Sequence, residues 1–139
     1  MSQGVQPRPG ALVDSAKVRV LVCDDDDVFR EALYDLLEDE GFTLVGAATG
    51  GSEGVALAKE LEPDVILMDL RMPFVDGIEA TRQITAGQTR VKVIMLSAYD
   101  DPALTRSAQE SGVFSYLVKG CAPSLICDAL LEAWQDGRS

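Results

Sequence analysis

The run Val65-Ile66-Leu67-Met68 is followed at once by Asp69 and then by Leu70-Arg71-Met72-Pro73. Four apolar residues in succession lack the alternation of a strand with one wet face, and they fit a central strand of a parallel sheet covered on both sides. Asp69 then stands at the carboxyl end of that strand, and Pro73 forces the following loop away from the sheet. In open α/β sheets the chemistry gathers at those ends. The other groups delivered there decide what Asp69 is for.

The remaining chain repeats the same unit. Residues 1–16 hold Gly4, Pro7, Pro9 and Gly10 with little periodicity and read as a flexible N-terminal tail. Val18 to Cys23 predicts a first strand ending at Asp24-Asp25-Asp26-Asp27, where one of the later aspartates caps a helix with Val28, Phe29, Ala32, Leu33, Leu36 and Leu37 on its apolar face. That helix stops at Gly41. Phe42 to Ala48 is a second strand, Gly50-Gly51-Ser52 opens a helix that Pro63 ends, and Asp76 with Glu79 has capping-box spacing for a third helix from Gly77. Val91 to Leu96 is a fourth strand ending at Ser97, and Asp101-Pro102 starts a helix reaching to about Gly112. Val113 to Val118 is the fifth strand, ending at Lys119, and Pro123 to Trp134 the last helix. Five strands alternating with five helices imply a parallel α/β sheet layered on both faces.

Composition narrows the function. The 139 residues suit one domain, with no apolar run long enough to span a membrane and no signal-peptide pattern, so a cytoplasmic protein is expected. A formal charge of -11 argues against direct nucleic-acid binding, which needs clustered Lys and Arg. Cys23, Cys121 and Cys127 are odd in number and lack metal-site spacing, so they are expected as thiols. The absence of histidine eliminates Ser-His-Asp and Cys-His catalysis.

Four strands therefore end in polar groups that a core cannot use: Asp24 with Asp25, Asp69, Ser97 and Lys119. Each alone reads as a cap or a surface residue; parallel strands bring all of them to one edge. Carboxylates crowded there repel one another unless a cation joins them, and an oxygen-only site with few protein ligands suits Mg²⁺. Lys119 adds a compact positive charge and Ser97 a donor, both suited to phosphoryl oxygens. A carboxylate can itself be the nucleophile.

These residues resemble the response-regulator receiver domains of two-component signalling. Asp24-Asp25 after the first strand, Asp69 within Met-Asp-Leu-Arg-Met-Pro, Asp76-Gly77, Ser97-Ala98 and Tyr116-x-x-Lys119 occur in family order. Phe29-Arg30-Glu31-Ala32-Leu33 and Gly77-Ile78-Glu79-Ala80-Thr81 look most like receivers of LuxR/NarL-type regulators. The resemblance covers Lys17 to Trp134 and implies one domain over residues 17–135, with residues 136–139 a C-terminal tail. It implies a flavodoxin-like (CheY-like) doubly wound sheet of strand order 2-1-3-4-5.

It further implies Asp69 as phosphoacceptor, and Mg²⁺ bound by Asp25, Asp69 and the Arg71 backbone carbonyl, with Asp24 acting through water. Lys119 would pair with the phosphoryl group, and Ser97 and Tyr116 would form the switch. The implied partners are a sensor histidine kinase, a downstream effector protein or domain, and a second copy through the fourth helix, fifth strand and fifth helix. Such a protein is a phosphoryl acceptor with slow autodephosphorylation, either stand-alone or the front part of a longer regulator of transcription. The sequence departs from the family pattern at Gly120, where many members carry proline, and Arg71 and Tyr99 flank the site at variable positions.

Three other readings compete. Asp24-x-Asp26 fits the first motif of haloacid-dehalogenase-type phosphatases, with Asp24 as nucleophile, but no later acidic strand end completes that metal site and Asp69 is left without a role. A calcium loop fails because the acids run consecutively and no glycine holds the sixth position. A degenerate receiver acting only as a binding module would be expected to lack one of the pocket residues.

Overall fold

A computed structural model describes residues 14–88, 90–98 and 101–138. Five strands, β1 (Arg19–Cys23), β2 (Thr43–Ala48), β3 (Val65–Met68), β4 (Lys92–Ser97) and β5 (Ser115–Val118), form one parallel sheet in the order β2-β1-β3-β4-β5. Five helices alternate with them: α1 (Asp27–Asp39), α2 (Gly51–Leu61), α3 (Gly77–Gly87), α4 (Pro102–Glu110) and α5 (Pro123–Asp136). The expected doubly wound architecture is the one observed.

The apolar runs work because successive side chains take opposite faces. Val20, Val22, Leu67, Ile94 and Leu96 form one core with Leu33 and Leu37 of α1 and Ile126 and Leu130 of α5. Leu21, Cys23, Ile66, Met68, Val93 and Met95 form the other with Ala58 of α2, Ala80 and Ile84 of α3 and Ala108 of α4. A strand with wet residues on one face could not serve both layers. Phe42, Val91, Val113 and Phe114, expected within strands, lie just outside the ladders, although Phe114 still donates its N–H to the Val93 carbonyl at 2.7 Å.

Local signals explain most boundaries. Asp26 caps α1 by accepting from the N–H groups of Val28 and Phe29, and Asp101 does the same for Ala103 and Leu104 of α4. Only half of the expected capping box opens α3: Asp76 accepts from the Glu79 N–H, whereas the Glu79 carboxylate accepts from Gln83. α2 ends at Glu62 in the left-handed region, φ 49°, immediately before Pro63.

The first and last described residues make contacts that the sequence pattern does not imply. Residues 1–13 of the expected tail lie outside the described residues, but Ser15–Lys17 form a 3-10 turn capped by Asp14. Asp136, expected in a C-terminal tail, belongs to α5 and pairs with Lys92 at 2.9 Å. Arg138 stacks 3.7 Å from the Trp134 ring centre and reaches Asp64 at 3.3 Å. These contacts extend the last helix past Trp134, because its final turn finds charged partners at the base of the sheet.

Leu130 of α5 is fully buried against the β1-β3-β4 core. Leu130→Ala is expected to lower unfolding free energy by about 3 kcal/mol, as measured by urea denaturation with an unchanged m-value.

Candidate functional site

Backbone bonds carry the sheet order up to the acidic edge. Asp24 donates its N–H to the Ala48 carbonyl at 3.0 Å, Asp69 to Cys23 at 2.9 Å, and Lys119 to Ser97 at 2.7 Å. Asp24, Asp69, Ser97 and Lys119 are thus tied by their main chain to neighbouring strand ends. α3 closes behind Asp69 equally tightly. Gly77 donates to the Leu70 carbonyl at 2.8 Å, and a Cβ at Gly77 would overlap the Asp69 carbonyl oxygen. Glycine is required there for close approach, since a side chain would push the start of α3 off the Asp69 loop.

The side chains converge as the parallel topology demands. Asp24, Asp25 and Asp69 each offer a carboxylate oxygen, and these oxygens lie within 4.8 Å of one another. Asp24 and Asp69 are buried, at 3% and 7% exposure, and Asp25 is exposed. The Lys119 ammonium lies 2.7 Å from Asp24 Oδ2 and 3.5 Å from Asp69 Oδ1. The other Asp24 oxygen accepts from the Asp26 N–H at 2.8 Å.

Asp26 and Asp27, which follow the acidic pair in sequence, have partners on α1. Asp26 caps α1, and Asp27 pairs with Arg30 at 2.6 Å while Arg30 also donates to the Asp24 carbonyl at 2.8 Å. The Asp26 carboxylate is therefore bound to a helix terminus, the cap role that the sequence pattern assigns to one of these aspartates.

Burial, reinforced by the Asp24 charge, raises the Asp69 carboxyl from 3.8 to about 6, against the opposing pull of Lys119; Asp25 adds to the rise. Lys119 is also raised: burial opposes its charge, but the hydrogen bond to Asp24 and the Asp69 and Asp24 charges outweigh it. One ammonium does not neutralise the cluster. That deficit, in an all-oxygen set open on the Asp25 side, fits a hard divalent cation such as Mg²⁺.

Ser97 ends β4 fully buried, and Tyr116 is half-buried beside the second core cluster. In the β4-β5 register Met95 faces Tyr116 and Ser97 faces Val118, so Ser97 and Tyr116 share the sheet face covered by α3 and α4. Arg71 is exposed in the β3-α3 loop. Tyr99 lies outside the described residues. Gly120 adopts φ 95°, a left-handed conformation that proline cannot reach, so this chain turns from β5 to α5 differently from a proline-bearing one. Cys23 is pushed up to about 12 by burial, then by Glu53 and Asp24, and serves as packing. Phe29, read in the sequence only as part of the α1 apolar face, places its ring centre 4.2 Å from the Lys119 ammonium. No local signal could reveal that contact, since it depends on α1 meeting the end of β5.

Comparison with known proteins follows this geometry. Residues 20–131 match the family profile described as the response regulator receiver domain. The transcriptional regulatory protein LiaR of Bacillus subtilis is 44% identical over 117 residues, covering 84% of this chain and 56% of LiaR. The chain thus spans about half the length of the curated relatives it matches. Among solved structures, the signal receiver domain of the Mycobacterium tuberculosis response regulator NarL superposes with a TM-score of 0.81 at 33% identity, covering 86% of this chain and 97% of that one. A chain of the CheX–CheY complex with beryllofluoride and magnesium from Borrelia burgdorferi gives 0.79 at 25% identity, covering 84% and 89%.

The raised Asp69 carboxyl has a measurable consequence for stability. The folded protein holds this proton more tightly than the unfolded chain, so the stabilising contribution is complete below about pH 4 and is lost as pH rises through about 6. At pH 7 without divalent metal, Asp69→Asn is expected to be more stable than the parent by about 1–3 kcal/mol, and the gap should close near pH 4. Millimolar Mg²⁺ should stabilise the parent and not the variant. Chemical denaturation at the two pH values, with and without metal, checks both.

Proposed function

Since the chain belongs to the response regulator receiver domain family of two-component systems, we propose that it accepts a phosphoryl group on Asp69 from the phosphohistidine of a sensor histidine kinase. The observation that carries this reading is the buried Asp69 carboxylate at the end of β3, with Lys119 3.5 Å away and Asp24 and Asp25 completing the cluster. The 139 residues hold no histidine, so the donor lies outside them.

An Asp69 carboxylate oxygen attacks phosphorus in line, a P–O bond forms, the P–N bond to the donor imidazole breaks, and the imidazole leaves with a proton. Asp24, Asp25, Asp69 and the Arg71 backbone carbonyl would hold Mg²⁺, which supplies positive charge for the phosphoryl oxygens. Lys119 pairs with the same oxygens from the β5 side, and Ser97 donates to them from β4. Lys119 helps to keep Asp69 ionised for attack, because its positive charge lowers the pKa that burial and the Asp24 charge raise. Water later attacks the acyl phosphate and restores the carboxylate.

Ser97 and Tyr116 lie on one sheet face, which supports a switch in which Ser97 shifts toward the phosphoryl group and Tyr116 repacks beneath α4. The surface of α4, β5 and α5 then changes its affinity for a second copy and for a downstream effector. Sedimentation with Mg²⁺ and beryllofluoride should show dimer where the untreated protein shows monomer; a monomer in both conditions removes the dimer.

Chemical trapping tests the acceptor itself. After treatment with acetyl phosphate and Mg²⁺, borohydride reduction should convert residue 69 to homoserine, as read by peptide mass. Reduction at Asp24 would sink the reading, and Asp69→Asn should leave no labelled peptide.

A further inference from the structure

Among the described residues, the Lys119 ammonium meets two acids and an aromatic ring. Asp24 holds it at 2.7 Å and Asp69 at 3.5 Å, while the Phe29 ring centre stands 4.2 Å away. Lys119 is half-buried, and Phe29 is half-buried against the α1-α5 core, so the ring is fixed from behind by packing. An ammonium over an aromatic face is attracted by the ring quadrupole, and more strongly where water is partly excluded.

The two acids alone would not set Lys119 correctly for a phosphoryl group on Asp69. The shorter contact is to Asp24, a cation ligand in the reading above, and a lysine stem is flexible enough to follow whichever carboxylate is free. The Phe29 ring supplies an attraction that does not change when Asp24 and Asp25 take a cation or when Asp69 is modified. It favours an ammonium that remains within reach of Asp69.

We propose that Phe29 is a positioning residue for Lys119, holding the ammonium by its ring face where it meets the phosphoryl group on Asp69. This rests on the phosphoacceptor reading of the site. It separates two affinities that the same pocket governs. Mg²⁺ binding, which uses carboxylates, should not need the ring; binding of a phosphoryl mimic, which uses Lys119, should.

The full chain carrying Phe29→Leu, Phe29→Tyr or Lys119→Gln, and the Phe29→Leu/Lys119→Gln double variant, is titrated with Mg²⁺ alone by calorimetry and with beryllofluoride at saturating Mg²⁺ by fluorine NMR. Phe29→Leu should weaken beryllofluoride binding roughly three- to tenfold with Mg²⁺ affinity unchanged. Phe29→Tyr, which keeps the ring, should bind like the parent. In the Lys119→Gln background, Phe29→Leu should have no further effect.

Equal beryllofluoride binding by the parent and Phe29→Leu overturns the inference, as does a parallel loss of both affinities, which would mark a packing role only. Should Phe29→Leu fail to fold, weakened binding by Phe29→Tyr would overturn it and parent-like binding would support it. A parent protein that takes no beryllofluoride overturns the phosphoacceptor reading and this inference with it.

Discussion

The structure depends on bringing two buried carboxylates and an exposed one to the edge of a sheet whose interior is almost entirely apolar. Asp24 and Asp69 are almost inaccessible, yet the strands that carry them are built, after Arg19 at the start of β1, from Val, Ile, Leu, Met and Cys. Desolvation and the neighbouring Asp24 charge work against ionising Asp69, and Lys119 offsets only part of that cost. The backbone bonds at Asp24, Asp69 and Lys119 prevent the simple escape of moving the strand ends apart. What remains is a local demand for positive charge, which a cation held among the carboxylates would meet.

The same rigidity explains why glycine appears where it does. Gly77 lets the first turn of α3 rest against the Asp69 carbonyl, and Gly51 brings the start of α2 against the Val75 carbonyl in the same loop. The β3-α3 loop is therefore pressed from both helices. Two backbone contacts, each closed to any side chain, limit where the exposed Arg71 can place its carbonyl.

Much of this was legible in the residues alone, for different reasons at different scales. The apolar runs at Val20 to Cys23, Val65 to Met68 and Val93 to Leu96 could only be doubly buried strands, and parallel order then brought Asp24, Asp69, Ser97 and Lys119 together without knowledge of any distance. The aspartates beyond that edge were less legible. Asp26 and Asp27 stand in sequence beside the pocket, but a helix begins there, and its open N–H groups and Arg30 claim their carboxylates. The role of Phe29 could not be separated from ordinary core packing, since its periodicity is that of Leu33 and Leu37. The end of α5 was obscured because ion pairs to Lys92 and Asp64 join residues far apart in the chain.

Burial also limits where a change at Asp69 can be felt. β1, β3 and β4 are buried almost throughout, whereas every residue of β5 is only half-buried. α5 is anchored by Ile126, Leu130 and Ala133, but the nine residues of α4 bury only Ala108. A close-packed interior transmits displacement rather than absorbing it, so adjustment falls to the elements with the fewest buried contacts. Ser97 and Lys119 are joined by a backbone bond at the β4-β5 boundary, where the well-packed part of the sheet meets the loosely held part. A phosphoryl group drawing on both residues would therefore act at the boundary between them, beside α4 and β5.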